Sequence, residues 1–178
     1  MGDLLFGMTD WLRGTALLDL AFWLQETSVS LFMVENFWMV PIAQVFHILS
    51  IGAAFGATLM LTLRINGRAG TSLTMGQIGA RYMPWIWWGL LVIAISGTLM
   101  ATAEPVRNMV NAVFWIKMVL IVVMIALTLS FVGSVRRKAL AAGPGWQASG
   151  GTRSTSWVIV LLWCLIMVCG RWIAYVPV

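Results

Sequence analysis

The chain consists of an N-terminal segment that charged side chains interrupt repeatedly, followed by four long apolar runs. Within residues 1–36, leucine and methionine recur at intervals of three and four, as at Leu5, Met8 and Leu12, a spacing that is typical of amphipathic helices. We predict short helices here that lie in the headgroup region or pack on the rest of the protein. Charges interrupt every window that could cross a bilayer: Asp3, Asp10, Arg13, Asp19, Glu26 and Glu35.

The four apolar runs are long enough to cross a bilayer, which takes about 20 mostly apolar residues at a helical rise of about 1.5 Å. The second is expected to begin at Pro84, because proline suits a first helical turn, after a separate short helix over 72–81. Short connections favour antiparallel neighbours, so the predicted fold is an all-α, integral membrane, four-helix up-down bundle behind the interfacial segment 1–36. The predicted spans are about 37–64, 84–104, 111–135 and 157–175.

Composition agrees with a membrane protein. Hydrophobic residues make up 61% of the chain and charged residues 10%, a balance that a soluble domain with a polar exterior could hardly reach. The net charge of +5 does not indicate nucleic-acid binding, because the basic residues stand mostly in two loops between apolar runs. No Walker loop, dinucleotide-binding glycine pattern or HExxH motif occurs, so nothing indicates a soluble enzyme.

The distribution of charge predicts an orientation. All six acidic residues fall on one side of the predicted spans, and seven of the eleven basic residues fall in the first and third loops on the other side. By the positive-inside rule both termini lie outside, in the periplasm if the chain belongs to a bacterial inner membrane. The seven are Arg64, Arg68, Arg81, Arg136, Arg137, Lys138 and Arg153.

Ionisable side chains inside the predicted spans gather near the outer face. His47, the only histidine, stands with Lys117 and Arg171 roughly 9 to 15 Å below the outer ends of their helices, and Glu104 ends the second span. Such groups are costly in a membrane and often functional. The structural alternatives are that Lys117 and Arg171 extend to the headgroups, with Glu104 pairing with one of them, and that His47 bonds to Gln44 or Ser50.

A haem site is the first functional hypothesis. The imidazole of His47 would be an axial ligand, while Lys117 and Arg171 would pair with the propionates and Gln44 or Glu104 would orient these groups. One histidine excludes a bis-histidine haem within a single chain. The sixth ligand would be absent, supplied by another chain, or a methionine such as Met100, Met124 or Met167.

Two further patterns leave alternatives open. The chain has twelve methionines, and Cys164, Met167 and Arg171 share one face of the fourth predicted span, which allows a copper site, although methionine is also ordinary apolar filling. The cysteines are five residues apart and point about 140° from each other, so they form no disulfide. Gly52 and Gly56 form a small-xxx-small pattern that lets helices pack closely.

Several motifs resemble a bacterial family of small four-helix inner-membrane proteins that is described only as a domain of unknown function. They are Pro84-Trp85, Gly89, Ser96-Gly97, Trp115-x-Lys117 and the ending Gly170-Arg-Trp-Ile-Ala-Tyr175. Members resemble this chain in carrying a histidine in the first span, as His47 is here. Many also carry one late in the third span, where this chain has Phe131. The family is loosely similar to CopD-type copper-resistance proteins and membrane b-type cytochromes, which implies a fold rather than an activity.

Three hypotheses for function follow. The first is a haem b protein or anchor that passes electrons between a periplasmic partner and the quinone pool. The second is an accessory subunit without chemistry of its own, which packs in a larger membrane complex or homo-oligomer. The third is the handling of copper or of a small anion in the outer leaflet.

Overall fold

Four long helices carry most of the chain. The computed structural model describes residues 2–143 and 146–176, and within these ranges it is all-α and contains no strand. Each long helix is apolar and long enough to cross a membrane, which makes the chain a multi-pass membrane protein and confirms the predicted all-α membrane bundle. These helices are α4 (Met39–Ile65), α5 (Met75–Ala103), α7 (Ala112–Ala142) and α8 (Gly150–Trp172).

Helix α5 starts earlier than the sequence suggested. It begins at Met75 and runs through Pro84, so the predicted short helix over 72–81 and the second span are one helix. The cause is a capping box: the backbone N–H of Thr74 donates to Gln77 Oε1 over 2.9 Å, and the N–H of Gln77 donates to Thr74 Oγ1 over 3.3 Å. This cap starts the helix upstream, and the proline removes only one backbone hydrogen bond from it.

Three short helices precede the long ones: α1 (Gly2–Arg13), α2 (Ala16–Gln25) and α3 (Ser28–Glu35). Threonine side chains cap two of them, because Thr15 Oγ1 accepts from the N–H of Leu17 and Thr27 Oγ1 from that of Ser30. Helices α2 and α3 are bent by 63° at their junction and together have the composition of a span. The described residues therefore hold four candidate spans, or five if this bent pair is counted as one.

The chain divides into two compact units, and all four long helices contribute to each. Unit one comprises Met1–Leu49, Leu91–Val119 and Ile166–Val178, and unit two comprises Ser50–Leu90 and Leu120–Leu165. In unit one, α2 packs against the short helix α6 (Pro105–Met109). A buried cluster of Met33, Ala43 and Ala103 forms part of its core.

Asn111 links the start of α7 to the C-terminal turn of unit one by hydrogen bonds. Its side chain is fully buried, its Oδ1 accepts from the N–H of Val113 over 2.9 Å at the start of α7, and its Nδ2 donates to the carbonyl of Ile173 over 3.3 Å. Arg107 donates to Glu104 over 3.0 Å and to the carbonyl of Ala174 over 3.1 Å. These bonds fix the C-terminal 3₁₀ turn, Ile173–Tyr175, beside the start of α7.

A buried polar contact joins α4 and α8 in unit two. The hydroxyl of Thr62 donates to the carbonyl of Ser156 over 3.3 Å, and Nδ2 of Asn66 donates to Ser156 Oγ over 3.1 Å. Thr62 and Ser156 are 2% and 1% exposed, so water does not replace these bonds. Contacts of this kind hold helices together in lipid, where apolar surface alone provides little drive for association.

Glycine allows close helix packing at Gly89 of α5, rather than at the predicted pair on α4. A Cβ at Gly89 would lie 2.8 Å from Cβ of Ala54 and 3.1 Å from the carbonyl oxygen of Ser50. At Gly52 or Gly56 a Cβ would meet no atom within 4 Å. The α4 side chains that pack within unit two are instead those of the buried Ala54 and its neighbours on that face.

Gly89→Ala should therefore destabilise the protein by about 1–2 kcal/mol, because the added methyl group cannot fit without moving α4 or α5. Gly133→Ala is the matched control, since its Cβ would meet no atom within 4 Å and alanine raises helix propensity. Denaturant unfolding in mixed micelles measures both free energies. Equal stabilities of the two variants would contradict the close approach at Gly89.

Candidate functional site

The site centres on a hydrogen bond between α4 and α5 in unit one. Nδ1 of His47 lies 2.9 Å from Ser96 Oγ, and this hydroxyl in turn donates its proton to the carbonyl of Val92 over 2.6 Å. With the single hydroxyl proton on the carbonyl of Val92, Ser96 Oγ is the acceptor for an N–H of His47. The proton of the neutral imidazole is thereby fixed on Nδ1, and Nε2 keeps its lone pair.

Gly97 makes room for the imidazole. A Cβ at Gly97 would lie 3.2 Å from Cε1 of His47, which is closer than most side-chain contacts. Ser96 is 4% exposed, whereas His47 is half-buried. The ring is thus held along its Nδ1 edge while part of it stays accessible to a ligand from outside the packed helices.

Lys117, the second predicted site residue, lies on α7 and its side chain contacts α8. Its Nζ lies 3.6 Å from the position that a Cβ of Gly170 would occupy, so the ammonium rests against the backbone of α8. Within the described residues the two ion pairs are Arg13–Asp10 and Arg107–Glu104, so no carboxylate neutralises Lys117 there.

The other predicted site residues make different contacts. Arg171 is exposed, donates from Nη2 to the hydroxyl of Tyr175 over 2.7 Å and lies 5.0 Å from the centre of that ring. Glu104 is exposed and accepts from Arg107. Gln44 is exposed on α4. The structure therefore places His47 against Ser96 and Lys117 against Gly170, while the polar contacts of Arg171 and Glu104 are made with Tyr175 and Arg107.

Sequence reasoning did not identify the groups that touch His47 and Lys117. The partner of the imidazole is Ser96, not Gln44 or Ser50, and the groups that make room for the two side chains are Gly97 and Gly170. Ser96-Gly97 and Gly170 stand in the motifs that carry the family resemblance. Those motifs were the only available signal, because spacing along one helix does not say which residue of the next helix faces it.

In this arrangement Nε2 of the half-buried His47 has no hydrogen-bond partner among the described residues. Such a group can coordinate a metal centre or accept a proton. In the described part of the chain, no three His, Cys, Asp or Glu side chains come together to hold a metal ion. A haem iron needs only one imidazole from the protein, since the porphyrin supplies four nitrogens.

Comparisons with protein-family models, with curated proteins and with solved structures return no match for this chain.

The His47–Ser96 contact should appear as a coupling free energy in a double-mutant cycle. Ser96→Ala and His47→Ala together should show a coupling of about 0.5–1.5 kcal/mol, the range of interhelical hydrogen bonds in membranes. The control cycle replaces Ser96→Ala with Thr98→Ala, because Thr98 is exposed and its hydroxyl donates to Ala94 of its own helix. Equal coupling in both cycles would show that the contact does not form.

Proposed function

We propose that the protein binds a b-type haem within the membrane through Nε2 of His47 and carries electrons between a periplasmic partner and the quinone pool. The observation that supports it best is the bond from His47 to Ser96, whose own proton goes to Val92. Imidazoles that ligate metals typically donate their second N–H in this way, which fixes the tautomer and the ring orientation.

The surroundings of His47 fit a large, apolar, anionic group. The next α4 residues, Ile48 and Leu49, are 66% and 65% exposed apolar side chains. Lys117 supplies a positive charge without a carboxylate partner in the described residues. When bound, the haem would supply one-electron chemistry, and the protein would supply its ligand, an apolar setting and cationic contacts.

Arg171 is the second cation of the proposal. It lies on α8, one residue after Gly170, against which the Lys117 ammonium rests. Its bond to Tyr175 uses Nη2, and the planar guanidinium has further N–H groups that can donate to a carboxylate. Lys117 and Arg171 would thus hold the two propionates, with Gln44 and Glu104 at the margin.

Two of the methionine candidates for the sixth ligand, Met100 and Met167, lie in unit one. Met100 stands one helical turn after Ser96 on α5 and packs against the cluster that contains Ala43, one turn before His47. Met124 lies in unit two, where its sulfur accepts a hydrogen bond from Thr128 over 3.6 Å. The proposal also places both termini in the periplasm of a bacterial inner membrane, on the positive-inside rule.

A spectrum tests the haem proposal. The purified wild-type protein should show a Soret band and a reduced-minus-oxidised difference spectrum, and His47→Ala should lose both. Ser96→Ala should keep the haem but raise its midpoint potential, because the ligand becomes less basic without its acceptor. Thr98→Ala is the control on the same helix and should match the wild type. A wild-type protein that takes up no haem would refute the proposal.

A second candidate is supported by the open face at Gly52 and Gly56. A Cβ at either glycine would meet no atom within 4 Å, so a stripe of small residues on α4 is free to face another helix. The protein would then be a non-catalytic subunit that assembles with its own copies or a larger complex.

Gly52→Leu should convert such an assembly to monomers in native mass spectrometry of gently solubilised membranes. The side chain has space within the chain itself, so the fold should persist. Gly133→Leu, also in open space but on α7, should leave the assembly intact. A wild-type protein that is monomeric from the start would remove this candidate.

A further inference from the structure

Unit two contains a large cavity that the haem proposal does not use. It has a volume of about 840 Å³ and is lined by residues of α4, α5, α7 and α8. We propose that this cavity binds an amphipathic anion, a carboxylate or phosphate carried on a long apolar chain. Its volume lies within the range of roughly 300–1,000 Å³ that is usual for ligand sites.

The walls of the cavity are apolar. They include Leu61, Met83, Trp87, Phe131, Val135 and Ile159. Two threonines in the lining donate their hydroxyl protons to atoms of the protein. Thr58 donates to the carbonyl of Ala54 over 2.8 Å, and Thr128 donates to the sulfur of Met124. An apolar cavity holds water poorly, so an apolar chain is the occupant that its surface favours.

A smaller, more polar cavity shares part of this lining. It has a volume of about 270 Å³, and Arg64, Ile65, Met75 and Trp146 belong to both cavities. Arg153 and Gln147 complete the polar wall. The two spaces together match a ligand with an apolar body and a compact polar head.

The positive charge of this region favours an anionic ligand. Neither cavity is lined by Asp or Glu, and no acidic residue occurs in the sequence of unit two, which holds seven of the eleven basic residues. Arg64, which lines both cavities, and Arg153 of the smaller one provide cationic N–H donors at the head of the site. Carboxylates and phosphates are the groups that arginine recognises best.

Arg64 is held in place before any ligand arrives. Its Nε and Nη2 both donate to the carbonyl of Leu73, over 3.0 and 2.8 Å, which leaves Nη1 free to bind. A fixed guanidinium loses less freedom when it binds an anion. Membrane topology alone explains why basic residues stand in these loops, but it requires neither a fixed arginine nor a cavity beside it.

Three probes distinguish the contribution of the anionic head group from that of the apolar tail. Their binding is titrated by native mass spectrometry in neutral detergent. Oleate and dioleoyl phosphatidic acid carry the proposed anionic head, as a free fatty acid and as a membrane lipid, whereas oleyl alcohol has the chain alone. One saturable adduct is expected with at least one of the anions, bound about tenfold or more tighter than the alcohol. The tighter of the two anions identifies the source of the ligand. Equal binding of the alcohol would overturn the proposal.

Matched variants locate the site. Gly79 lines the larger cavity and Gly133 does not, and a Cβ at either would meet no atom within 4 Å. Gly79→Leu should weaken anion binding about tenfold by filling the cavity, while Gly133→Leu should bind as the wild type. Arg153→Gln should weaken binding of the anion but not binding of the alcohol. Arg137→Gln is its control, because Arg137 is exposed and lines neither cavity. Equal effects of lining and control variants would refute this location.

Discussion

The bilayer leaves this chain no water with which to satisfy a polar group, and that constraint decides most of what the structure contains. Each backbone N–H and C=O must find its partner within a helix, so the apolar runs become four long helices. Among the described residues, most buried polar side chains bond to a group of their own helix or of another, whereas the hydroxyls of Thr9 and Ser30 have no partner. Two of these contacts cross between long helices, one from His47 to Ser96 in unit one and one around Ser156 in unit two.

The acidic residues are confined to one of the two units, whereas basic residues occur in both. The six acidic residues all fall in unit one, and unit two has only cations. Each unit therefore has its own electrostatic character, which supports two different roles. Unit one combines a hydrogen-bonded imidazole with residues of both charges, whereas unit two combines a mostly apolar cavity with arginines and no acidic residue.

The sequence alone predicts the helices better than it predicts their contacts. Uninterrupted apolar runs locate α4, α7 and α8, since length and hydropathy are local properties. The start of α5 escaped prediction because a threonine–glutamine cap outweighed the signal of Pro84. His47 could be found as a lone ionisable residue in an apolar run. Ser96 could not be assigned as its partner, because the register between two helices is set by packing. The cavity was equally hidden, since its walls come from four separate helices.

The free energy of an interhelical hydrogen bond helps to decide whether His47 serves only to hold two helices together. An interhelical hydrogen bond in a membrane contributes on average about 0.6 kcal/mol, and an imidazole in that setting also places a second polar nitrogen near lipid. The chain joins α4 and α8 at less cost, with a hydroxyl and an amide that complete their bonds within the protein. A histidine whose Nδ1 is fixed and whose Nε2 has no protein partner among the described residues is a costly way to obtain the same bond. A ligand on Nε2 would offset that cost, and this is the physical reason to favour a cofactor over a purely structural contact.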